Sequence, residues 1–128
     1  MLILTATKII HGDFHAKQVL LTADGKPSML DLDDVLLGDP LEDLASFAAH
    51  LLRDAAVGAM SRQAAELHIE ALVGSYTAAG QEVDRRALTA NMILALVQMA
   101  SYPFRTRHPD WPAIIGQILD AVVQWLEQ

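Results

Sequence analysis

The pattern of apolar and polar positions changes character near residue 40. Before it, the short runs Lys8-Ile9-Ile10, Gln18-Val19-Leu20-Leu21 and Ser28-Met29-Leu30 alternate with turn-forming residues. Asp24-Gly25 lies between the second and third runs, a spacing that signals a hairpin, so a two-stranded antiparallel ribbon is expected near 18–32. From Leu41 the period lengthens to that of helices, with Leu44, Phe47, Ala48, Leu51, Leu52 and Ala55 on one face and Pro40 at the start, where a first turn tolerates proline. A second helix is expected after Ser61, turning Ala65, Ile69, Leu72, Val73 and Tyr76 inward and stopping near Gly80. A third follows Asp84 with Leu88, Met92, Ala95, Leu96 and Met99, and ends before Pro103. The last begins near Asp110 with Pro112 in its first turn and carries Ile115, Ile118, Leu119, Val122 and Leu126.

This order predicts an α+β fold, mostly α: a helical bundle over residues 41–128 against a short hairpin within residues 1–40, with no central parallel sheet. No repeat, low-complexity stretch or linker divides the chain, so residues 1–128 form one domain. The 128 residues, 52% apolar and 20% charged, are enough for one well-packed core.

Charge narrows the partners. Nine basic against sixteen acidic residues give a net charge of −7, which disfavours nucleic acid and anionic membranes and tilts the balance toward cationic ligands. The absence of cysteine excludes disulfides and thiolate metal sites. The opening MLILTATKII lacks a basic start and a small-residue cleavage pattern, and no run is read as reaching the roughly 20 apolar residues of a membrane span. A cytoplasmic location is the expectation.

Candidate chemistry is concentrated in His11-Gly12-Asp13-Phe14-His15-Ala16-Lys17-Gln18 and, after the hairpin, Leu30-Asp31-Leu32-Asp33-Asp34. Phosphoryl transfer to a hydroxyl needs a carboxylate that orients the hydroxyl and accepts its proton, plus hard oxygen ligands for magnesium. Asp13 fits the first role. The amide oxygen of Gln18 and the carboxylate of Asp31 fit the second. Taken singly, such acids are ordinary turn and strand-end residues; their joint spacing is what points to chemistry. His11, Asp13 and His15 also alternate, so in an extended segment they would share a face and suit zinc as two imidazoles and a carboxylate.

The stretch HGDFHAKQVLL, followed by LDLDDVLLGDPLEDLA, resembles the aminoglycoside phosphotransferase and choline kinase superfamily, whose loop reads His-Gly-Asp-x-His-x-x-Asn and whose second motif runs into Gly-Asp-Pro and Asp-Leu-Ala. The two motifs span about residues 9–48. The resemblance implies the C-terminal lobe of a protein-kinase-like fold that phosphorylates a hydroxyl on a small molecule, aminoglycoside-, choline- or sugar-like, with ATP or GTP as donor and Mg2+ as cofactor. It implies Asp13 as catalytic base, Gln18 and Asp31 as metal ligands, Asp33 as a further metal or water ligand, and His11 and His15 as loop-positioning residues. Asp39 and Asp43 read as helix-start and loop-bracing carboxylates.

Gln18 departs from the family's asparagine by one methylene. No glycine-rich loop and no strand lysine precede the motif, so the nucleotide-binding N-terminal lobe is expected to be missing and the 128-residue chain to transfer little phosphate alone. The alternative is a non-catalytic binding or immunity-type protein derived from the lobe. Acids on the following helices, Asp54, Glu66 and Glu70, are candidates to face a cationic acceptor. His50, His68 and His108 are read as structural or surface residues, and Trp111, Trp125, Met92 and Met99 as core or contact surface. The apolar segments Leu2-Ile3-Leu4 and Ile9-Ile10 suggest a homodimer, or the seat of the missing lobe.

Overall fold

The computed structural model describes residues 8–128; the segment Leu2-Ile3-Leu4 lies outside them. Two short antiparallel ribbons precede five helices. Strand β1 (Lys8–Ile10) pairs with β4 (Leu36–Gly38), with Ile9 opposite Leu37, and β2 (Val19–Leu21) pairs with β3 (Pro27–Met29), with Leu20 opposite Ser28. Between β2 and β3 the turn closes on Thr22, which donates its N–H to the Lys26 carbonyl at 2.9 Å and accepts from Gly25 N–H at 2.9 Å. The β1–β4 pairing is not among the elements expected from the sequence.

Helix α1 (Pro40–Ala56) begins where its local chemistry demands. Asp39 accepts from Leu41 N–H at 2.9 Å, Pro40 occupies the first turn, and Glu42 and Asp43 meet the positive end of the helix dipole. Ser61 caps α2 (Arg62–Ala78) through Ala64 N–H, and Asp84 caps α3 (Arg85–Met99) through Arg86 and Ala87 N–H. Pro103 sits inside a single helical turn, α4 (Tyr102–Arg105), and α5 (Trp111–Leu126) closes the chain.

The core is organised around α1, which packs on α2, α3, α5 and β1. Leu44, Ala45, Ala48, Ala49, Leu51 and Leu52 meet Ala65, Ile69 and Val73 of α2, Leu88, Met92 and Leu96 of α3 and Val122 of α5. The alanines of α1 let these neighbours approach closely, and each fully buried aliphatic side chain such as Leu96 or Val73 contributes roughly 1.5–3 kcal/mol.

Two expectations are corrected. On α5 the buried positions are Ile118 and Val122, whereas Leu119 and Leu126 are exposed. The helix is apolar around most of its circumference, so periodicity did not select the face that packs. Secondly, Arg85–Arg105 is, by length and composition, long and apolar enough to cross a membrane. Its apolar residues serve two neighbours: α3 packs against both α1 and α5, so a single stripe would not suffice.

Candidate active site

The loop between β1 and β2 is held by backbone bonds to the start of α1. Asp43, in the first turn of α1, accepts from His11 N–H at 2.7 Å and from Gly12 N–H at 3.0 Å, one on each carboxylate oxygen. His11 is buried. Its Nε2–H donates to the Leu30 carbonyl at 2.8 Å while its Nδ1 accepts from Asp13 N–H at 3.2 Å, so both ring nitrogens are committed to shaping the loop and neither is free to bind a metal. The zinc trio His11, Asp13 and His15 suggested by alternation is therefore not the arrangement adopted.

Gly12 has φ +89° and its α-carbon faces the Asp34 carbonyl, a packing that only glycine fits. Phe14 stacks on Phe47 of α1 with ring centroids 5.0 Å apart, fastening the loop to the bundle. A 3-10 turn at Ala16–Gln18 then brings Gln18 back beneath the loop.

Gln18, Asp13 and Asp31 come together. The Gln18 amide N–H donates to Asp31 Oδ2 at 3.2 Å and makes a longer contact of 3.5 Å to Asp13 Oδ2. Asp31 holds its side chain there from a left-handed backbone, φ +55°, a conformation that aspartate adopts more readily than most residues. An N–H donor shared by two carboxylates stands where a cation between them would. Two carboxylates and an amide that can turn its oxygen inward form a hard-oxygen set that fits magnesium. Asp33 is exposed, and no hydrogen bond among the described residues ties it to this group. Asp39 and Asp43 both bond backbone N–H groups rather than entering the cluster.

Beside Asp13 opens a cavity of about 630 Å³, walled by the loop, α1, the α3–α4 junction and α5. Asp13, His15 and His50 line one side, and Met99, Tyr102, Ile114 and Ile118 the apolar side. Lys17, Arg53 and Arg105 face the cavity together with Asp13 and Asp54, and Arg53 pairs with Asp54 at 2.7 Å. The acidic excess of the whole chain is thus not concentrated here. Of the three acids considered for a cationic acceptor, Asp54 lines the cavity, while Glu66 pairs with Arg62 and Glu70 with Arg85 on the surface.

His50, read from the sequence as a structural residue, stands beside the candidate site and lines the same cavity. Its ring lies 4.3 Å from that of His15, centroid to centroid. Burial, followed by the charges of His15 and Arg53, pushes its pKa down to about 4, against a smaller upward pull from Asp13 and Asp54. It is neutral near pH 7. The signal that could have located it is its spacing from Phe47, three residues earlier on the same face of α1 and itself the anchor of the loop.

The sequence model described as the phosphotransferase enzyme family matches residues 4–74, more than half of the chain. No curated protein and no solved structure matches it.

Proposed function

The chain belongs to the phosphotransferase enzyme family, and from that premise we propose that it forms the acceptor-binding and catalytic part of a kinase that transfers the terminal phosphate of ATP or GTP to a hydroxyl on a small molecule. The observation that carries this reading is the sharing of one Gln18 amide by Asp31 and by Asp13, the latter of which also lines the cavity. A hydroxyl resting in the cavity against Asp13 would donate its hydrogen bond to the carboxylate, which orients the oxygen and takes the proton as the new O–P bond forms and the bond to the departing nucleoside diphosphate breaks. Gln18 and Asp31, with Asp33 as a further candidate, would hold Mg2+, whose chemistry is to neutralise charge on the phosphates. His11 and Asp43 act only by fixing the loop that carries Asp13, and His15 supports the same loop from the cavity side.

The volume of the cavity suits a ligand of one or two sugar rings. Its balanced lining favours a sugar-like or single-amine acceptor over a polycationic aminoglycoside. The reading requires a nucleotide clamp, a glycine-rich loop and a strand lysine, from a segment other than residues 8–128. The exposed apolar side chains of the ribbons and of the segment joining them, Leu20, Leu21, Met29, Leu32 and Leu37 among them, offer the surface for such a lobe or for a second copy. The setting we propose is cytoplasmic, with no role for nucleic acid or membrane.

The test is transfer of labelled phosphate from ATP or GTP to a panel of sugars, amino alcohols and aminoglycosides, with the 128-residue chain alone and with the chain joined to a nucleotide-binding lobe. Little transfer is expected from the chain alone and measurable transfer from the joined form. In the joined form Asp13→Asn should lower the rate by about 10²–10⁴-fold. An unchanged rate in that variant would remove Asp13 as the base. Acceptor binding without any transfer in the joined form would favour the non-catalytic binding protein, to which the substitution of Gln18 for asparagine also points.

A further inference from the structure

Three residues of metal-binding type meet on the cavity side of the loop, from two different elements. Asp13 and His15 come from the loop and His50 from the middle of α1, and one donor atom from each lies within 4.8 Å of the other two. The Nε2 of His15 is 3.8 Å from Asp13 Oδ2. Among the described residues neither the His15 ring nor the His50 ring makes a hydrogen bond, and the two rings lie 4.3 Å apart, tilted by 31°, with their unpartnered nitrogens reached from the cavity. Each has a ring nitrogen lone pair and no protein donor to satisfy it, and both line the same cavity.

We propose that Asp13, His15 and His50 bind one divalent transition cation of the zinc class, at a site that shares Asp13 with the hard-oxygen group but draws its other two donors from histidines instead of Gln18 and Asp31. The donor set selects the ion. Two imidazoles and one carboxylate suit zinc and its borderline neighbours, whereas magnesium prefers all-oxygen ligands. Zinc bonds nitrogen and oxygen at about 2.0–2.2 Å, so tetrahedral donors stand roughly 3.3 Å apart. The three side chains must therefore close by at most about 1.5 Å from the 4.8 Å limit they now satisfy. Asp13 is nearly half exposed and held only by its long contact with the Gln18 amide, so it can turn toward the histidines, and His50 sits within helix α1. The cavity leaves the fourth coordination position open to water.

If Asp13 is the proton acceptor, as the preceding section argues, an ion held on its carboxylate occupies the lone pair that the acceptor hydroxyl needs, and zinc would inhibit transfer. That consequence rests on the kinase reading; the binding itself does not. The experiment accordingly uses metal-free 128-residue chain without nucleotide. Zn2+ is titrated by calorimetry and Co2+ by its visible absorption, whose intensity reports tetrahedral coordination. One ion per chain is expected, with binding retained in a large excess of Mg2+. His15→Gln and His50→Gln should each weaken binding by at least about 100-fold, since even supporting residues of metal sites are worth 10–100-fold. His68→Gln, on the exposed face of α2, should leave it unchanged. Should either cavity variant misfold, imidazole resonances of the unaltered chain decide: those of His15 and His50 must shift on adding Zn2+ while those of His11 and His68 do not. Displacement of Zn2+ by Mg2+, unaltered binding in the cavity variants, or shifts confined to other histidines would overturn the site.

Discussion

Replacing Gly12 by alanine tests whether the loop that presents Asp13 is held by close backbone packing. At φ +89° an L-residue costs roughly 1–2 kcal/mol before any contact is considered. The added Cβ would also overlap the Asp34 carbonyl oxygen and stand 2.9 Å from Leu36 Cδ2. Neither neighbour yields easily, because Leu36 belongs to β4 and is paired with Ile10, and Asp34 lies two residues before that strand begins. The loop must move instead. Moving it draws His11 and Gly12 N–H away from Asp43, and a hydrogen bond to a charged group contributes about 1.5–3 kcal/mol. Losing one of the two, added to the conformational cost, gives a destabilisation of about 2.5–5 kcal/mol.

Gly80→Ala is the matching control. Gly80 has φ +92° just beyond α2, and a Cβ there would meet nothing within 4 Å, so only the conformational cost of roughly 1–2 kcal/mol applies. Urea unfolding followed by circular dichroism gives both values, provided the slope m is unchanged between variants. The difference between the two isolates the close packing of the loop against Asp34 and Leu36 together with the loss at Asp43 that it forces. If Gly12→Ala proves no more costly than Gly80→Ala, the packing argument is refuted and the loop is held by something other than its fit against Asp34. In an active, joined form the same substitution should also depress transfer, since a displacement of about 1 Å at the reacting group costs on the order of 10²-fold in rate.

Other outcomes follow from the same geometry. Asp43→Ala removes the acceptor for two N–H groups and should cost about 3–6 kcal/mol, with hydrogen exchange at His11 and Gly12 rising before that of α1; equal exchange in the two forms would argue against the brace. His50 has a folded pKa of about 4 against an ordinary 6.5, so between those values the unfolded chain binds the extra proton. Its contribution is fully present above pH 6.5 and is lost as pH falls toward 4; the shift converts to about 3 kcal/mol, which solvent screening of a partly exposed ring reduces to on the order of 2 kcal/mol in metal-free protein, and His50→Gln should flatten that part of a stability profile. Light scattering of dilute chain should give a two-fold dimer through the exposed ribbon surface, and Leu20→Lys with Leu37→Lys should return it to monomer; a monomer from the outset would show that the apolar ribbons stay uncovered in this chain.

What was legible in the sequence was local. Asp39-Pro40, Ser61 and Asp84 announce helix starts because the bonds they make are to N–H groups two or three residues ahead, and the stripes of α1, α2 and α3 follow from a period read over a few turns. Where a helix is apolar nearly all round, as in α5, the period loses its power to choose a face, and of the positions it turns inward Ile118 and Val122 are buried while Leu119 and Leu126 are not. The pairing of β1 with β4 was illegible for another reason. Strands of three residues carry too little alternation to name a partner, and theirs is selected by the fit of Gly12 beneath Asp34 and by the grip of Asp43 on the loop. The loop motif was readable as a set of types and spacings, but the meeting of His15 with His50 was not, because it is made by tertiary docking. It rests on two short-range facts joined through space: Phe14 precedes His15, and Phe47 precedes His50 by one turn of α1. When Phe14 settles on Phe47, the two imidazoles are carried together and Asp13 is left beside them at the mouth of the cavity. The aromatic pair is therefore the contact to break if the loop, the cavity and the histidine pair are one cooperative unit: replacing Phe47 by leucine should loosen Asp13 and separate His15 from His50 together, not one without the other.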